Sequence, residues 1–157
     1  MLNQAELTSA IKSIPWFLEL NSENLQRLTS IANVRSYQTD EVLFSEGEQH
    51  GNLYIVIEGK VQIESFVPGY GSLPIFTAES LDVVGWSSLT PVVRQKTGTA
   101  RVTETAKLLV FDAEQLMELC EEDCDLGFLI MRRLANIVAS RLLTHRLHLL
   151  ELITSQG

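Results

Sequence analysis

Residues 83–102, VVGWSSLTPVVRQKTGTARV, contain no acid, although acids outnumber bases by eight in the whole chain. The segment holds three bases (Arg94, Lys96, Arg101), five hydroxyls (Ser87, Ser88, Thr90, Thr97, Thr99) and two glycines (Gly85, Gly98). A net-negative protein repels a small anion, so a local cluster of cations and hydrogen-bond donors is what recognition of a phosphate or similar group requires. Gly85 followed by WSSL has the pattern of a strand that turns into a single helical turn, whose exposed N–H groups can face an anion. The same residues could also form a polar loop with its charges in water. The segment alone leaves both open.

The elements that must position this segment can be read from periodicity. AELTSAIKSI places Leu7, Ile11 and Ile14 at helical spacing, and NSENLQRLTSIANV follows with Ser22 as its expected cap; Pro15 separates the two. From Val34 the period becomes that of strands. VRSYQ, EVLFSEG, NLYIVIEGKVQIESF, SLPIFTA, DVVGW, TGTARVT and KLLVFD are short, rich in Val, Ile, Phe and Tyr, and punctuated by Gly, Pro, Asn and Asp. Roughly eight strands in succession predict a barrel or jelly roll. Asp112 is an expected helix cap before AEQLMELC. A stretch from about 125 to 153 lacks Pro and has only Gly127 near its start, which predicts a helix of about 29 residues, about 40 Å long. Two apolar stripes mark it, Ile130, Leu134 and Ile137 on one side and Met131, Val138, Leu142 and Leu149 on another. A helix with two apolar sides has two surfaces to bury, one against its own barrel and one elsewhere, which predicts a homodimer through it.

The fold class expected is therefore mainly β with flanking helices: N-terminal helices over 1–33, a β-roll over 34–112 and C-terminal helices over 113–157, in a single domain. Composition agrees, with 45% hydrophobic and 20% charged residues. A charge of −8 argues against sequence-independent binding to DNA or RNA. The start lacks the features of a signal peptide and no apolar run approaches membrane-spanning length, which predicts a cytoplasmic protein without a membrane partner. Cys120 and Cys124 stand one helical turn apart; with no further Cys or His at ligand spacing, reduced thiols at a helix end are expected rather than half a metal site. His50 falls in a turn. His145 and His148 share one helix face, where a haem or metal is the alternative to plain solvent exposure. No nucleophile elbow, metalloprotease helix or paired-carboxylate motif is present, so no enzyme and no cofactor is expected.

These elements, taken together, resemble the cyclic nucleotide-binding domain of the bacterial catabolite activator and related regulators. The match runs over about residues 14–150 and rests first on DEVLFSEGEQHGNLYIVIEGKVQI at 40–63, with its turn glycines Gly47 and Gly59. It rests next on the phosphate-binding cassette, within 83–102. There the family's Gly-Glu-Leu-Ala-Leu is matched by Gly85-Trp86-Ser87-Ser88-Leu89, and its Arg-Ser/Thr-Ala by Lys96-Thr97-Gly98. The family's Glu, which takes the ribose 2′-hydroxyl, is replaced by Trp86, an indole with no acceptor. The family's Arg is replaced by Lys96, a point charge in place of a planar fork; Arg94, two residues earlier on an extended segment, could restore that fork.

The resemblance thus implies a ligand set of Gly85, Trp86, Ser87, Ser88, Arg94, Lys96 and Thr97, with Arg141 and His145 from the middle of the long helix. Trp86 could stack on a planar ligand or fill the pocket. Arg101 is expected to be a salt-bridge or surface residue. The leading functional expectation is a regulatory module that binds cyclic AMP, cyclic GMP or a similar small anionic effector and shifts the long helices of a homodimer. No direct DNA contact is expected, since the chain stops at Gly157, right after the helix. The alternatives are a ligand-free dimerisation or docking domain that presents LHLLELI to an unidentified protein partner, and a redox or haem sensor.

Overall fold

The computed structural model describes residues 3–49, 51–90 and 95–156. Helix α1, Gln4–Lys12, starts at a reciprocal cap: the Asn3 side chain accepts from the Glu6 amide and the Glu6 carboxylate accepts from the Asn3 amide, each at 2.9 Å. Leu7 and Ile11 face inward. Pro15 then opens a short 3₁₀ turn, Pro15–Phe17, that buries Trp16 and Phe17. Helix α2, Ser22–Ile31, is capped by Asn21 and not by the expected Ser22: the Asn21 side chain accepts from the Asn24 amide at 2.8 Å. Asn and Ser are comparable caps; Asn21 is the residue still in extended conformation, three before that amide.

Six strands among the described residues form one antiparallel sheet: β1 Ala32–Tyr37, β2 Val42–Phe44, β3 Asn52–Val67, β4 Gly71–Ala78, β5 Val83–Val84 and β6 Thr99–Asp112. The main order is β1-β6-β3-β4, with β2 on β6 and β5 on β3. This is the expected mainly β architecture, with fewer and longer strands than expected. TGTARVT and KLLVFD merge into β6, because β3 pairs along the join from Asn52↔Asp112 to Glu64↔Thr99.

Both faces of that central pair are buried over residues 53–56 and 108–111, which is why those runs are apolar without interruption. Leu53, Ile55, Leu109 and Phe111 point into a core shared with the helices. The intervening Tyr54, Val56, Leu108 and Val110 point into a second core inside the roll, with Phe44, Val61 and Val102.

Asp112 caps helix α3, Ala113–Glu122, as expected, accepting from the Gln115 amide at 3.0 Å. Asp123 caps helix α4, Cys124–Ser155, which at 32 residues is about 48 Å long. Gly127 lets α4 close on α3, since a Cβ there would lie 2.5 Å from the Cys120 carbonyl. The first half of α4 buries Leu126, Ile130 and Leu134 against the helical core. From Leu142 onward its leucines are exposed. No helix among the described residues is long and apolar enough to cross a membrane.

Gly59 interrupts β3 with φ +89°, and a Cβ there would meet the Thr105 carbonyl at 2.4 Å. Gly69 has a similar φ of +86° with nothing within 4 Å. Gly69→Ala is expected to cost about 1 kcal/mol from backbone conformation alone, and Gly59→Ala about 3 kcal/mol or more, because a β-strand must move as well. Urea denaturation midpoints of the two variants check this difference.

Candidate functional site

The site is assembled from three segments far apart in sequence. The first begins where β5, paired to β3 through Tyr54↔Val84 and Ile55↔Val83, ends at Gly85. Gly85 adopts φ +86°, and a Cβ there would lie 2.6 Å from the Asn52 carbonyl. The positive φ starts the single 3₁₀ turn expected from the sequence, Trp86–Leu89. Leu89 anchors it in the core and Ser87 is buried beside it.

The second segment carries Lys96. Its backbone is clamped against the loop after β2: the Lys96 amide donates to the Glu48 carbonyl and the Gly47 amide donates to the Lys96 carbonyl, both at 2.9 Å. The residue is only 3% exposed. Its ammonium donates to the Ser88 hydroxyl and lies 4.8 Å from the centre of the Phe44 ring. Burial pushes its pKa down to about 8, against an opposing pull from the Glu48 carboxylate.

Arg141 is the third contribution, and it comes from α4. Its guanidinium reaches into the roll, donates to the Val83 carbonyl and sits 4.4 Å from the centre of the Phe76 ring. Burial pulls its pKa down and nearby Asp82 opposes this. Arginine stays charged at any ordinary pH. Among the described residues neither Lys96 nor Arg141 forms a salt bridge. Arg101, in contrast, pairs with Glu64 at 3.4 Å, the salt-bridge position expected for it.

Two adjoining spaces result. A hollow of about 30 Å³ is bordered by Gly85, Trp86, Ser87, Lys96, Thr97 and Arg141, with Phe44, Ile63 and Gly98 completing it. A chamber of about 470 Å³ lies between the roll and α4. Ile63, Ile75, Phe76, Val138 and Leu142 line it together with Trp86, Arg141 and a few polar groups that include His145. Six of the residues predicted from sequence thus meet at the hollow. Ser88 stands beside it as the partner of Lys96, and its hydroxyl also donates to the Asn52 carbonyl at 3.4 Å. His145 reaches only the chamber. Arg94 and the turn at His50 lie outside the described residues.

The family model of the cyclic nucleotide-binding domain matches residues 34–123. The chain belongs to the cyclic nucleotide-binding domain family. Solved structures agree on the fold. A protein of Geobacter metallireducens GS-15 described as cyclic nucleotide-binding superposes with a TM-score of 0.73 at 25% identity, over 90% of this chain and 99% of that one. A cyclic nucleotide-binding domain from Methylobacillus flagellatus KT gives 0.78 at 18% identity, over 94% and 83%. The catabolite activator protein of Thermus thermophilus gives 0.70 at 24% identity, over 89% and 63%. Comparison with curated protein sequences gives no match.

Within this cyclic nucleotide-binding domain, the apolar strand residues that border the two spaces were not foreseen. Phe44 and Ile63 stood in recognised strands, but which side each faces depends on the curvature of the roll and on a register shift between Ile63 and Glu64. Arg141 had been expected near the ligand on the strength of resemblance; its reach to Val83 has no local sequence signal. The cysteines behave as expected of free thiols: Cys120 is buried, which pushes its pKa up to about 11, and Cys124 is exposed. Among the described residues no cluster of three His, Cys, Asp or Glu is placed to hold a metal.

The lowered pKa of Lys96 has a measurable sign. Between about 8 and its ordinary 10.5 the unfolded chain holds a proton on this amine that the folded chain has released. The unfolded state binds more protons there, so the contribution of Lys96 to stability rises with pH across that window. Urea unfolding from pH 7 to 10 is expected to show the stability of the wild type gaining on that of Lys96→Met as pH climbs; parallel profiles would contradict the buried, unpaired ammonium.

Proposed function

We propose that this chain is a ligand-sensing regulatory module in which a small anionic effector, a cyclic nucleotide or a similar anion, binds at the hollow and shifts α4. One observation carries the reading: a cation from the cassette and a cation from α4 converge on one hollow whose lining includes no acid. In a chain of net charge −8 this is the arrangement that attracts an anion against the general field. The module acts by binding and not by catalysis.

Transmission follows from where Arg141 originates. Its guanidinium donates to a carbonyl of the cassette strand, so an anion in the hollow competes with Val83 for the same donor groups. A ligand moves a conformational equilibrium only through contacts that differ between the two states. Exchange of a neutral acceptor for an anion at Arg141 is such a difference, and it acts on α4 directly.

The exposed second half of α4, with Leu143, Leu147, Leu150 and Ile153, supports a homodimer through this helix. The alternative reading is a domain that keeps the fold for docking or dimerisation without a ligand. It is favoured by one observation, that Lys96 already has a hydroxyl partner within the protein.

Calorimetric titration with cyclic AMP, cyclic GMP and inorganic phosphate separates the readings. The sensing module is expected to bind at least one of them below the millimolar range, with Lys96→Met weakening that binding at least tenfold; absence of any heat from all three favours the docking reading. For the dimer, the pair Leu149→Glu and Leu152→Glu, both on the exposed end, is expected to weaken self-association at least a hundredfold in sedimentation equilibrium.

A further inference from the structure

The two spaces at the site differ chemically, and the difference bears on what kind of anion fits. The hollow holds cations and hydroxyls but has room for little more than one small charged group. Ser87, a residue only 4% exposed, is among the groups that line it. The chamber is more than tenfold larger, and most of its wall is aliphatic or aromatic. Trp86, Ile63, Thr97 and Arg141 border both, so a single molecule can occupy the two at once.

Neither lining includes Asp, Glu, Asn or Gln. A sugar hydroxyl donates as well as accepts, and a carboxylate is the side chain best able to take such hydroxyls in pairs. The side-chain acceptors on offer are a few hydroxyls and the His145 imidazole at the rim of the chamber. A body that makes no hydrogen bonds loses nothing on entering such a space, whereas a ribose exchanges its hydration for few side-chain acceptors.

The geometry points to an amphiphilic anion as the effector: one carboxylate or phosphate head held between Lys96 and Arg141, bearing a compact apolar body of aryl size, without a sugar, that fills the chamber against Trp86, Phe76 and Leu142. This rests on the reading of the hollow as an anion site and narrows it. The head satisfies a buried ammonium that has only a hydroxyl for company, and the body covers apolar wall that water would otherwise wet.

The test uses the full chain and four probes in calorimetry at pH 7: 1-naphthyl phosphate, inorganic phosphate, 1-naphthol and cyclic AMP. The expected result is that 1-naphthyl phosphate binds at least tenfold more tightly than each of the other three. Arg141→Met is expected to reduce its affinity at least tenfold. Ile75→Asn, at a partly exposed chamber wall, is expected to weaken 1-naphthyl phosphate while leaving inorganic phosphate unchanged. Tighter binding of cyclic AMP than of 1-naphthyl phosphate overturns the ligand class and leaves the sensing function standing. Equal binding of 1-naphthol removes the role of the anionic head. Silence from all four ligands overturns the sensing function itself.

Discussion

Lys96 places an ammonium where nothing carries a formal negative charge in contact with it, and most of the site can be understood as a response to that burial. Taking a cation out of water costs several kcal/mol even after relaxation. The Ser88 hydroxyl and the face of Phe44 return about 1–2 kcal/mol each at most. The imbalance is visible in the pKa, which settles near 8. At pH 7 about nine in ten molecules still carry the charge. A carboxylate in this stretch would cancel the imbalance, and the acid-free run from Val83 to Thr103 supplies none. The charge is held in reserve by the sequence around it.

Such a group must be held rigidly, or it would swing out to solvent. Lys96 is fixed by a backbone pair with Gly47 and Glu48, Gly85 by close approach to β3, and Arg141 by its carbonyl and ring partners. All three supports trace to the same central pair of strands. Because residues 53–56 of β3 and 108–111 of β6 are buried on both faces, one core lies inside the roll and another is shared with the helices and the cassette turn. Leu89 of the cassette and Leu126, Ile130 and Leu134 of α4 are anchored in the same helical core, and the hollow lies where these two elements meet the roll.

The parts of this arrangement that could be read from the sequence are those with local signals. Helical spacing placed α1, α2 and α4, Asp112 announced α3, and Gly85 before WSSL announced the turn of the cassette, because periodicity, caps and positive-φ positions are properties of a few adjacent residues. The join within β6 at Glu104 and Thr105 was missed because its continuity comes from pairing with β3, which overrides the polar interruption. Asn21 and Ser22 were confused because both are good caps and only the backbone conformation decides between them. At the site, the hydroxyls and bases of the cassette were legible as a group. The walls supplied by Ile63, Ile75, Phe76 and Val138 were not, since each belongs to an ordinary strand or helix pattern and its facing depends on curvature and a register shift.

On the proposed sensing reading, the location of Arg141 along α4 is what would couple a ligand to the helix. N-terminal to it the helix is tied to the core through Leu126, Ile130 and Leu134; C-terminal to it the leucines are exposed. A force applied within the anchored half would be absorbed by packing, and one applied near the tip would have no connection to the roll. At the boundary, on that reading, a change of acceptor for one guanidinium would act on the free half, about 20 Å long between residue 141 and residue 155. The energy available is bounded by the difference between a carbonyl contact and an anion contact for the same donors. Both bonds are charge-assisted, since the guanidinium is ionised in each; the difference is the added charge–charge attraction, on the order of 1–2 kcal/mol where solvent still screens the pair. Such a difference biases an equilibrium about tenfold and does not throw it fully from one side to the other. On the proposed reading, such a module would work best when its two helix positions are already close in free energy.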